Sequence, residues 1–329
     1  MSRETSIDIV ICTYNNAALL DRSLATISKQ RVPPGVNWQV LVVNNNCTDE
    51  TPEVVEKHSR LSATSIRMVS EPTQGLTQAR VCGVRNTSGE WIAFVDDDCL
   101  LADDWVAEAA RFASEHPACG AFGGRVILDW EIAPPSYASH RRYAYAGKNH
   151  GETAHRRPWL AGAGMVLRRR ALEESGWLDK QFLEDRTGKR LVSGGDMEIG
   201  LRVAARYEVW YNPACELRHV IPARRMSREY LRRITFGLGA SRHNASALTW
   251  RGSYPGWLFY SSLYSLMFGA HGAWQLVREA LSERATVDVA LAFSPVRGWW
   301  TAMWGMLRMD AAERRQLLGC AVAARKQNP

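Results

Sequence analysis

Over its first 125 residues the chain alternates short apolar runs with stretches of helical spacing, and this alternation restricts the fold more than any other feature. Ile7 to Cys12, Trp38 to Asn44, Ile66 to Ser70 and Trp91 to Val95 read as buried strands. Between them Leu19, Leu20, Leu24 and Ile27 recur at helical intervals, and Leu76, Ala79, Gly83 and Val84 do so less strongly. Strands and helices in this order are βαβ units, which predict an α/β fold with a Rossmann-like, mainly parallel sheet flanked by helices. In such sheets ligands sit at the carboxyl ends of the strands. Polar clusters fall there: Thr13-Tyr14-Asn15-Asn16 after the first strand, Asn44 to Asp49 after the second, and Asp96-Asp97-Asp98 after the fourth.

From Asp129 to Pro158 the pattern weakens, with Pro134-Pro135 and many Tyr, His and Arg residues, and a long irregular insertion or lid is expected. Order returns at Trp159 to Leu167, where Gly162, Ala163 and Gly164 permit close approach of a ligand or a second backbone. Asp196 to Arg206 reads as helix and Glu208 to Tyr211 as strand; beyond Ser227 the chain reads as helical almost to its end. The expected division is a sheet domain over 1–245 and a helical C-terminal region over 246–329.

With 329 residues, 46% of them hydrophobic, the chain can bury a sizeable core. Its seven cysteines are odd in number, scattered and without a CxxC pair, which suits a reducing compartment better than a disulfide framework or zinc site. No signal peptide is read in Ser2 to Thr5, so the expected location is the cytoplasm. The net charge of +7 is compatible with nucleic acid, an anionic membrane or a phosphorylated substrate. The arginines gather late, from Arg224 to Arg242, and no zinc finger, helix-turn-helix or aromatic RNA-binding pattern accompanies them, so nucleic acid is not expected as a partner. The C-terminal third holds six tryptophans and apolar runs at Trp257 to Phe268 and Val287 to Phe293, both shorter than the ~20 residues a spanning helix needs. Flanked by Arg242, Arg251 and Arg278, these runs fit a helix lying in an anionic membrane interface, or equally a subdomain packed on the sheet or on a second protomer in a homodimer.

Three adjacent carboxylates at a strand end repel one another and call for a cation. A hard divalent ion, Mg²⁺ or Mn²⁺, prefers oxygen ligands and is commonly shared between one or two carboxylates and substrate phosphates. A helix N-cap accounts for one or two of the three, and Asp103-Asp104 are already placed to cap the next helix.

Val10 to Asn15, Val42 to Asp49, Gln74 to Arg80, the Asp triplet, Gly162-Ala163-Gly164, Gly194 to Glu198 and His219 follow one another in an order that resembles the inverting family 2 glycosyltransferases with a GT-A fold. The resemblance covers roughly residues 6–240. It implies a nucleotide-diphosphate sugar bound over the first half of the sheet, with Thr13, Tyr14 and Asn15 lining the base and ribose pocket and Arg80 near the base or diphosphate. Asp97 would contact the ribose with Asp96 in support, and Asp98 would hold the metal, with His219 closing its shell. Asn44 stands where the family often has Asp; with Asn45 it would complete the nucleotide pocket, and its carbonyl can accept a uracil N–H. Trp159, Gly162, Ala163 and Gly164 would form the sugar and acceptor pocket. Inversion needs a carboxylate that takes the acceptor hydroxyl's proton; the resemblance gives that role to Asp196, with Glu198 as understudy and Gly195 in place of the family's first acid. Arg224, Arg225 and Arg228 would offset the charge of the leaving diphosphate or of a phospholipid-linked acceptor. The implied activity is hexosyl transfer to a glycan or lipid-linked acceptor in polysaccharide or cell-envelope synthesis, at or near the inner face of the plasma membrane.

Two other enzyme classes lack their marks. A dinucleotide-dependent oxidoreductase wants Gly-x-Gly-x-x-Gly where the chain has Thr13-Tyr14-Asn15-Asn16-Ala17, and a nucleotidyltransferase wants a phosphate loop rich in glycine and lysine. A non-catalytic nucleotide-sugar-binding scaffold remains an alternative.

Overall fold

The computed structural model describes residues 5–157, 159–183, 185–188, 191–282 and 288–323; Pro158 and Val287, which bound two of the expected segments, lie outside them. The βαβ units appear in order as β1 (Thr5–Thr13), α1 (Ala17–Ile27), β2 (Val36–Asn44), α2 (Thr51–Leu61), β3 (Ile66–Ser70), α3 (Leu76–Arg85) and β4 (Trp91–Phe94). Then come β5 (Cys99–Leu101), α4 (Trp105–Glu115), β6 (Cys119–Gly123), β7 (Val126–Trp130), α5 (Ser136–Ser139), β8 (His155–Arg156), β9 (Met165–Arg168), α6 (Arg169–Glu174), α7 (Gly195–Val203), β10 (Glu208–Tyr211) and β11 (Leu217–Ile221). The remainder is helical: α8 (Arg228–Leu248), α9 (Tyr254–Ser282), α10 (Val289–Ala292), α11 (Ser294–Arg308), α12 (Ala311–Leu317) and α13 (Cys320–Ala323).

The large sheet has the order β3-β2-β1-β4-β9-β6-β10-β8. Its pairs are parallel from β3 to β4 and between β6 and β10, while β9 runs antiparallel to both its neighbours. Side chains alternate across a strand, and here both faces are buried: Ile7, Ile9, Ile11, Val40 and Val42 enter one core, and Val10, Leu41, Val43, Ile92 and Phe94 the other. That double burial is why the strands read as unbroken apolar runs.

Two pairings build the site. Because β9 is antiparallel to β4, with Phe94 opposite Met165, the segment entering β9 meets the segment leaving β4. A second, three-stranded sheet, β5-β11-β7, sets Cys99 opposite His219 and so carries His219 to the Asp triplet. The 129–158 stretch is less irregular than its composition suggests, holding the end of β7, α5, a 3₁₀ turn at Arg142–Tyr145 and β8.

Among the C-terminal helices, α8 and α11 lie so close that a side chain at Gly239 or Gly298 would run into the partner's backbone. α8 passes through residue 245 unbroken. Trp257, which heads the apolar stretch read either as an interfacial helix or as a packed subdomain, is fully buried with its indole edge-on to His243.

Candidate active site

The loops at the carboxyl end of β1 and β2 are held by their own polar side chains. Thr13 Oγ1 donates to Asp97 Oδ2 at 2.7 Å, and Asn16 Nδ2 to Asp97 Oδ1 at 2.8 Å. Asn15 adopts a left-handed backbone, φ 51°, and its side-chain Oδ1 accepts the Thr48 amide at 2.7 Å. Asn44 Oδ1 accepts the Cys47 amide, three residues on, at 2.8 Å. Asn45 is buried; its amide group donates to the carbonyls of Glu71 and Thr73, and its oxygen accepts from Gln74 and the Gly75 amide. All four hydrogen-bonding positions of that side chain are thereby filled, so Asn45 shapes the pocket wall and has none left for a nucleotide. Tyr14 is 45% exposed.

The three carboxylates are resolved by different partners. Asp97 takes the hydroxyl and amide just described. Asp98, 3% exposed, has Oδ1 3.2 Å from His219 Nε2 and Oδ2 2.5 Å from Arg225 Nη1. Burial would raise the Asp98 pKa, but His219 and Arg225 outweigh it and hold the carboxyl well below the usual range. Burial, reinforced by the Asp98 charge, pushes Asp97 the other way. The β5–β11 pairing brings this about: Val220 donates its amide to the Asp98 carbonyl at 2.9 Å, and the turn after β11 returns Arg225.

The donor set fits a hard divalent cation. Asp96 and Asp98 offer carboxylate oxygens in one cluster with Cys99, whose soft sulfur suits a hard ion less well than the two carboxylates. His219 Nδ1 donates to the Tyr145 carbonyl at 2.8 Å, which orients Nε2 toward Asp98, the anchoring typical of a metal-binding imidazole. Arg225 is the cation on Asp98 in this structure. Arg228, grouped with it in the sequence, is engaged elsewhere, 3.5 Å from Asp288 and over the Tyr137 ring. Asp104 sits at the N-cap position of α4 without a side-chain cap bond, so capping there is not the side-chain role the sequence suggested.

The small residues before β9 are explained by crowding. Gly164 has φ +72°, and its amide donates to the Phe94 carbonyl at 2.9 Å. A Cβ at Gly162 would lie 2.8 Å from Arg80 Nη2 and 3.2 Å from Asp196 Cβ. Gly162 instead donates its amide to Asp196 Oδ2 at 2.9 Å, fixing that carboxylate at the mouth of the site. Ala163 is buried, and Trp159 lies under the Lys148 ammonium, 4.5 Å from its ring centroid.

Asp196 and Glu198 share the first turn of α7 but face apart, as residues about 200° apart on a helix must. Glu198 is fully buried; its oxygens accept the amides of Phe182 and Leu183, and Arg202 Nε lies 3.4 Å away. It cannot serve as an understudy to Asp196, because its carboxylate anchors the 182–183 backbone. Arg80 is likewise a buried strut, paired with Asp185 at 2.9 Å and stacked on Phe94, not a side chain open to a nucleotide. Asp185 was not apparent from the sequence. A Cβ on Gly195 would collide with its carboxylate, so Asp185 fills the space beside Asp196 where the family pattern usually carries its first acid.

Residues 8–176 match the family model described as glycosyl transferase family 2. Glycosyltransferase AglE of Haloferax volcanii is 24% identical over 192 residues, 58% of this chain and 59% of AglE. Poly(ribitol-phosphate) β-N-acetylglucosaminyltransferase TarS of Staphylococcus aureus is 27% identical over 108 residues, 33% of this chain and 19% of TarS. The chain thus matches less than two thirds of the length of either relative. Among solved structures, the mannosyltransferase PcManGT of Pyrobaculum calidifontis, in complex with GDP-Man and Mn²⁺, superposes with a TM-score of 0.54 at 20% identity, covering 98% of this chain and 86% of that one. Residues 1–349 of S. aureus TarS, in complex with UDP, give a TM-score of 0.50 at 18% identity, covering 99% and 92%. These structural likenesses bear on the fold, the GT-A arrangement of a mainly parallel sheet with helices on both faces.

Proposed function

The chain belongs to glycosyl transferase family 2, and from that premise we propose that it is an inverting, hexosyltransferase-like enzyme that uses a divalent metal. It moves a sugar from a uridine-diphosphate donor to a hydroxyl of a glycan or lipid-linked acceptor in polysaccharide or cell-envelope glycan synthesis. The observation that carries the reading is the convergence of Asp98 with His219, and of Asp196, around Gly162 to Gly164 at the carboxyl end of the sheet. Uridine is favoured by the TarS complex with UDP; the GDP-Man held by PcManGT names the competing base.

Thr13, Tyr14, Asn15 and Asn44 line the nucleotide pocket. Asn44, whose carbonyl already accepts the Cys47 amide, meets the base through its amide group. Asp97 holds the ribose, supported by Asp96. Asp96, Asp98 and His219 hold the metal, Mn²⁺ or Mg²⁺, which when bound offsets the charge of the diphosphate. Asp196 accepts the proton of the acceptor hydroxyl as its oxygen bonds to the anomeric carbon and the bond to the diphosphate breaks. Gly162 holds that carboxylate in place, and Arg224 and Arg225 counter charge on the departing diphosphate. With Glu198 committed to backbone amides, one carboxylate faces the acceptor, which is what a single displacement requires.

The enzyme meets its acceptor at an anionic membrane face, the inner face of the plasma membrane, with the C-terminal helices as its contact. Among the described residues no helix is long and apolar enough to cross a membrane. The polarity of α9 is inverted for a helix facing water: Ser261 and Ser265 are buried, while Phe259 and Leu266 are 74% and 67% exposed and Met267 and Trp274 are exposed as well. No charged residue occurs from Tyr254 to Val277. On α11, Trp300 and Trp304 are exposed between the exposed Arg297 and Arg308, an aromatic and basic mixture suited to lipid headgroups. The rival occupant is a second copy of the chain.

The test is a panel of UDP- and GDP-sugars assayed for binding and hydrolysis with Mn²⁺, Mg²⁺ and EDTA, for the wild type and for Asp98→Ala and Asp98→Asn. Nucleotide binding should require the metal and be lost in both variants. Full affinity in EDTA and in the variants removes the metal from the proposal, and failure to hydrolyse any nucleotide sugar leaves the scaffold reading standing.

A further inference from the structure

Beside Asp196 lies a narrow cleft, lined in part by Trp159 and Ala163 of the expected sugar and acceptor pocket, whose basic side chains have no role in the reaction described above. Ala161 and Ala163, which line it, flank Gly162, whose amide holds the Asp196 carboxylate, so the cleft opens next to the acceptor-activating group. Three of its lining side chains are basic: Lys148, His150 and Arg157. Trp159 supports Lys148 from below. The cleft has room for about one water-sized group, enough for a single oxygen of an incoming anion.

Among the described residues no carboxylate forms an ion pair with Lys148, His150 or Arg157, and Arg157 Nε is buried without a hydrogen-bond partner. This mirrors the Asp triplet with the sign reversed, except that among the described residues no carboxylate pairs directly with these side chains, Asp196 acting on Lys148 only at longer range. Like charges collected in a partly desolvated cleft are held at a cost unless an opposite charge joins them. Burial and then the Arg157 and Lys148 charges lower the His150 pKa. Burial lowers that of Lys148 against the pull of Asp196. Both shifts agree with partly buried basic groups that crowd one another.

We propose that this cleft binds an oxyanion, a phosphate or carboxylate, carried by the acceptor sugar close to the hydroxyl that attacks. The inference rests on the glycosyltransferase reading and adds the acceptor's chemical class to it. Lys148 and Arg157 contact the anion, one oxygen of which reaches the orphaned Arg157 Nε, while Trp159 holds the Lys148 ammonium in place. A wider groove shares Arg157 and also carries Arg251 and Arg156, the last paired with Glu208, so its lining stays net positive for the rest of an anionic acceptor.

The experiment measures binding of glucose, glucuronate and glucose 6-phosphate at low salt to the full chain saturated with UDP and Mn²⁺, so that the donor half is already filled. It is repeated for Lys148→Gln with Arg157→Gln, and for Lys148→Arg. An anionic sugar should bind at least tenfold more tightly than glucose; the double variant should lose this preference and Lys148→Arg should keep it. Preference for the phosphate over the uronate, or the reverse, identifies the oxyanion. Equal binding of the three sugars, or a preference that survives in the double variant, overturns the proposal. Failure of the wild type to bind either UDP or GDP would instead remove the nucleotide-sugar transfer proposed above. Should the double variant not fold, the single variants, each expected to lose most of the preference, serve in its place.

Discussion

The strand ends of the large sheet and the C-terminal helices treat polarity in opposite ways. At the strand ends, buried polar side chains are joined across elements: Thr13 to Asp97, Asn45 to the loop after β3, Arg80 to Asp185, Asp98 to His219 and Arg225. On α9 serines lie inside, Ser261 with its hydroxyl unpartnered, while Phe259, Leu263, Leu266 and Trp274 stand in the open. A buried polar group is retained where partners satisfy it, and an exposed apolar stripe of this length marks a surface that meets something other than water. The first region is pre-organised for a small ligand. The second exposes apolar side chains along α9 and α11.

The comparison is sharpest within α7, where two acids of one helical turn are assigned to chemistry and to scaffold. Asp196→Asn keeps the hydrogen bond from Gly162 but cannot take a proton, so turnover should fall by about 10²-fold or more with donor affinity almost unchanged. Glu198→Gln disturbs a buried ion pair and the amides of Phe182 and Leu183, and removing one partner of such a pair costs about 3–5 kcal/mol. Its effect should therefore appear in the melting temperature. The assignments are reversed if Glu198→Gln melts normally with little turnover while Asp196→Asn stays active.

A second test falls on the inner side of the helical region. His243 on α8 is buried edge-on to Trp257 and Trp299, and burial brings its pKa down to about 4 from 6.5. Above pH 6.5 the folded and unfolded chains both keep it neutral, and its contribution to stability is fully present. As the pH falls toward 4 the unfolded chain binds a proton that the folded chain refuses, and stability drops by about 1.4 kcal/mol per pKa unit of difference, on the order of 3 kcal/mol over the window. His243→Phe keeps an aromatic ring there without the titration. Urea midpoints between pH 7 and pH 4.5 should fall more steeply for the wild type; identical slopes would mean that His243 is not held neutral by its surroundings.

These features differ in how far the sequence discloses them. The first four strands and the polar clusters at their ends were legible, because strands buried on both faces leave unbroken apolar runs and the loops between them are polar. The partner of Asp98 was not: Arg225 is 127 residues away and reaches it only through the β5–β11 pairing. Asp185 was missed because an acid displaced ten residues from its expected place leaves no local pattern, and its role shows only in the space above Gly195. In α9 the periodicity was visible but its sense was not. Trp257, Ser261 and Ser265 form one face and Phe259, Leu263 and Leu266 another, and hydropathy alone nominates the second for the core, whereas the first is the one buried.

That inversion leads to the smallest of the expected effects. If α9 and α11 rest on lipid, binding combines burial of the exposed apolar side chains with attraction of Arg297 and Arg308 for anionic headgroups, worth about 1 kcal/mol per basic residue near the surface. Such an attraction weakens with salt, because charges at a surface are screened over about 8–10 Å at ordinary ionic strength. The full chain should therefore sediment with vesicles containing phosphatidylserine more than with neutral vesicles, and less so in high salt. Phe259→Ser with Leu266→Ser removes apolar area from the exposed face while leaving the buried Trp257 intact, so the variant should fold and lose most of the vesicle-bound fraction. Replacing Arg297 and Arg308 with Gln should remove the preference for anionic lipid and keep the weaker apolar component. If neither lipid charge nor the serine substitutions alter sedimentation, and the chain runs as a dimer that these substitutions dissociate, the stripe is a protein interface. The contrast between the two regions then stands, with a second copy in place of the membrane as the partner.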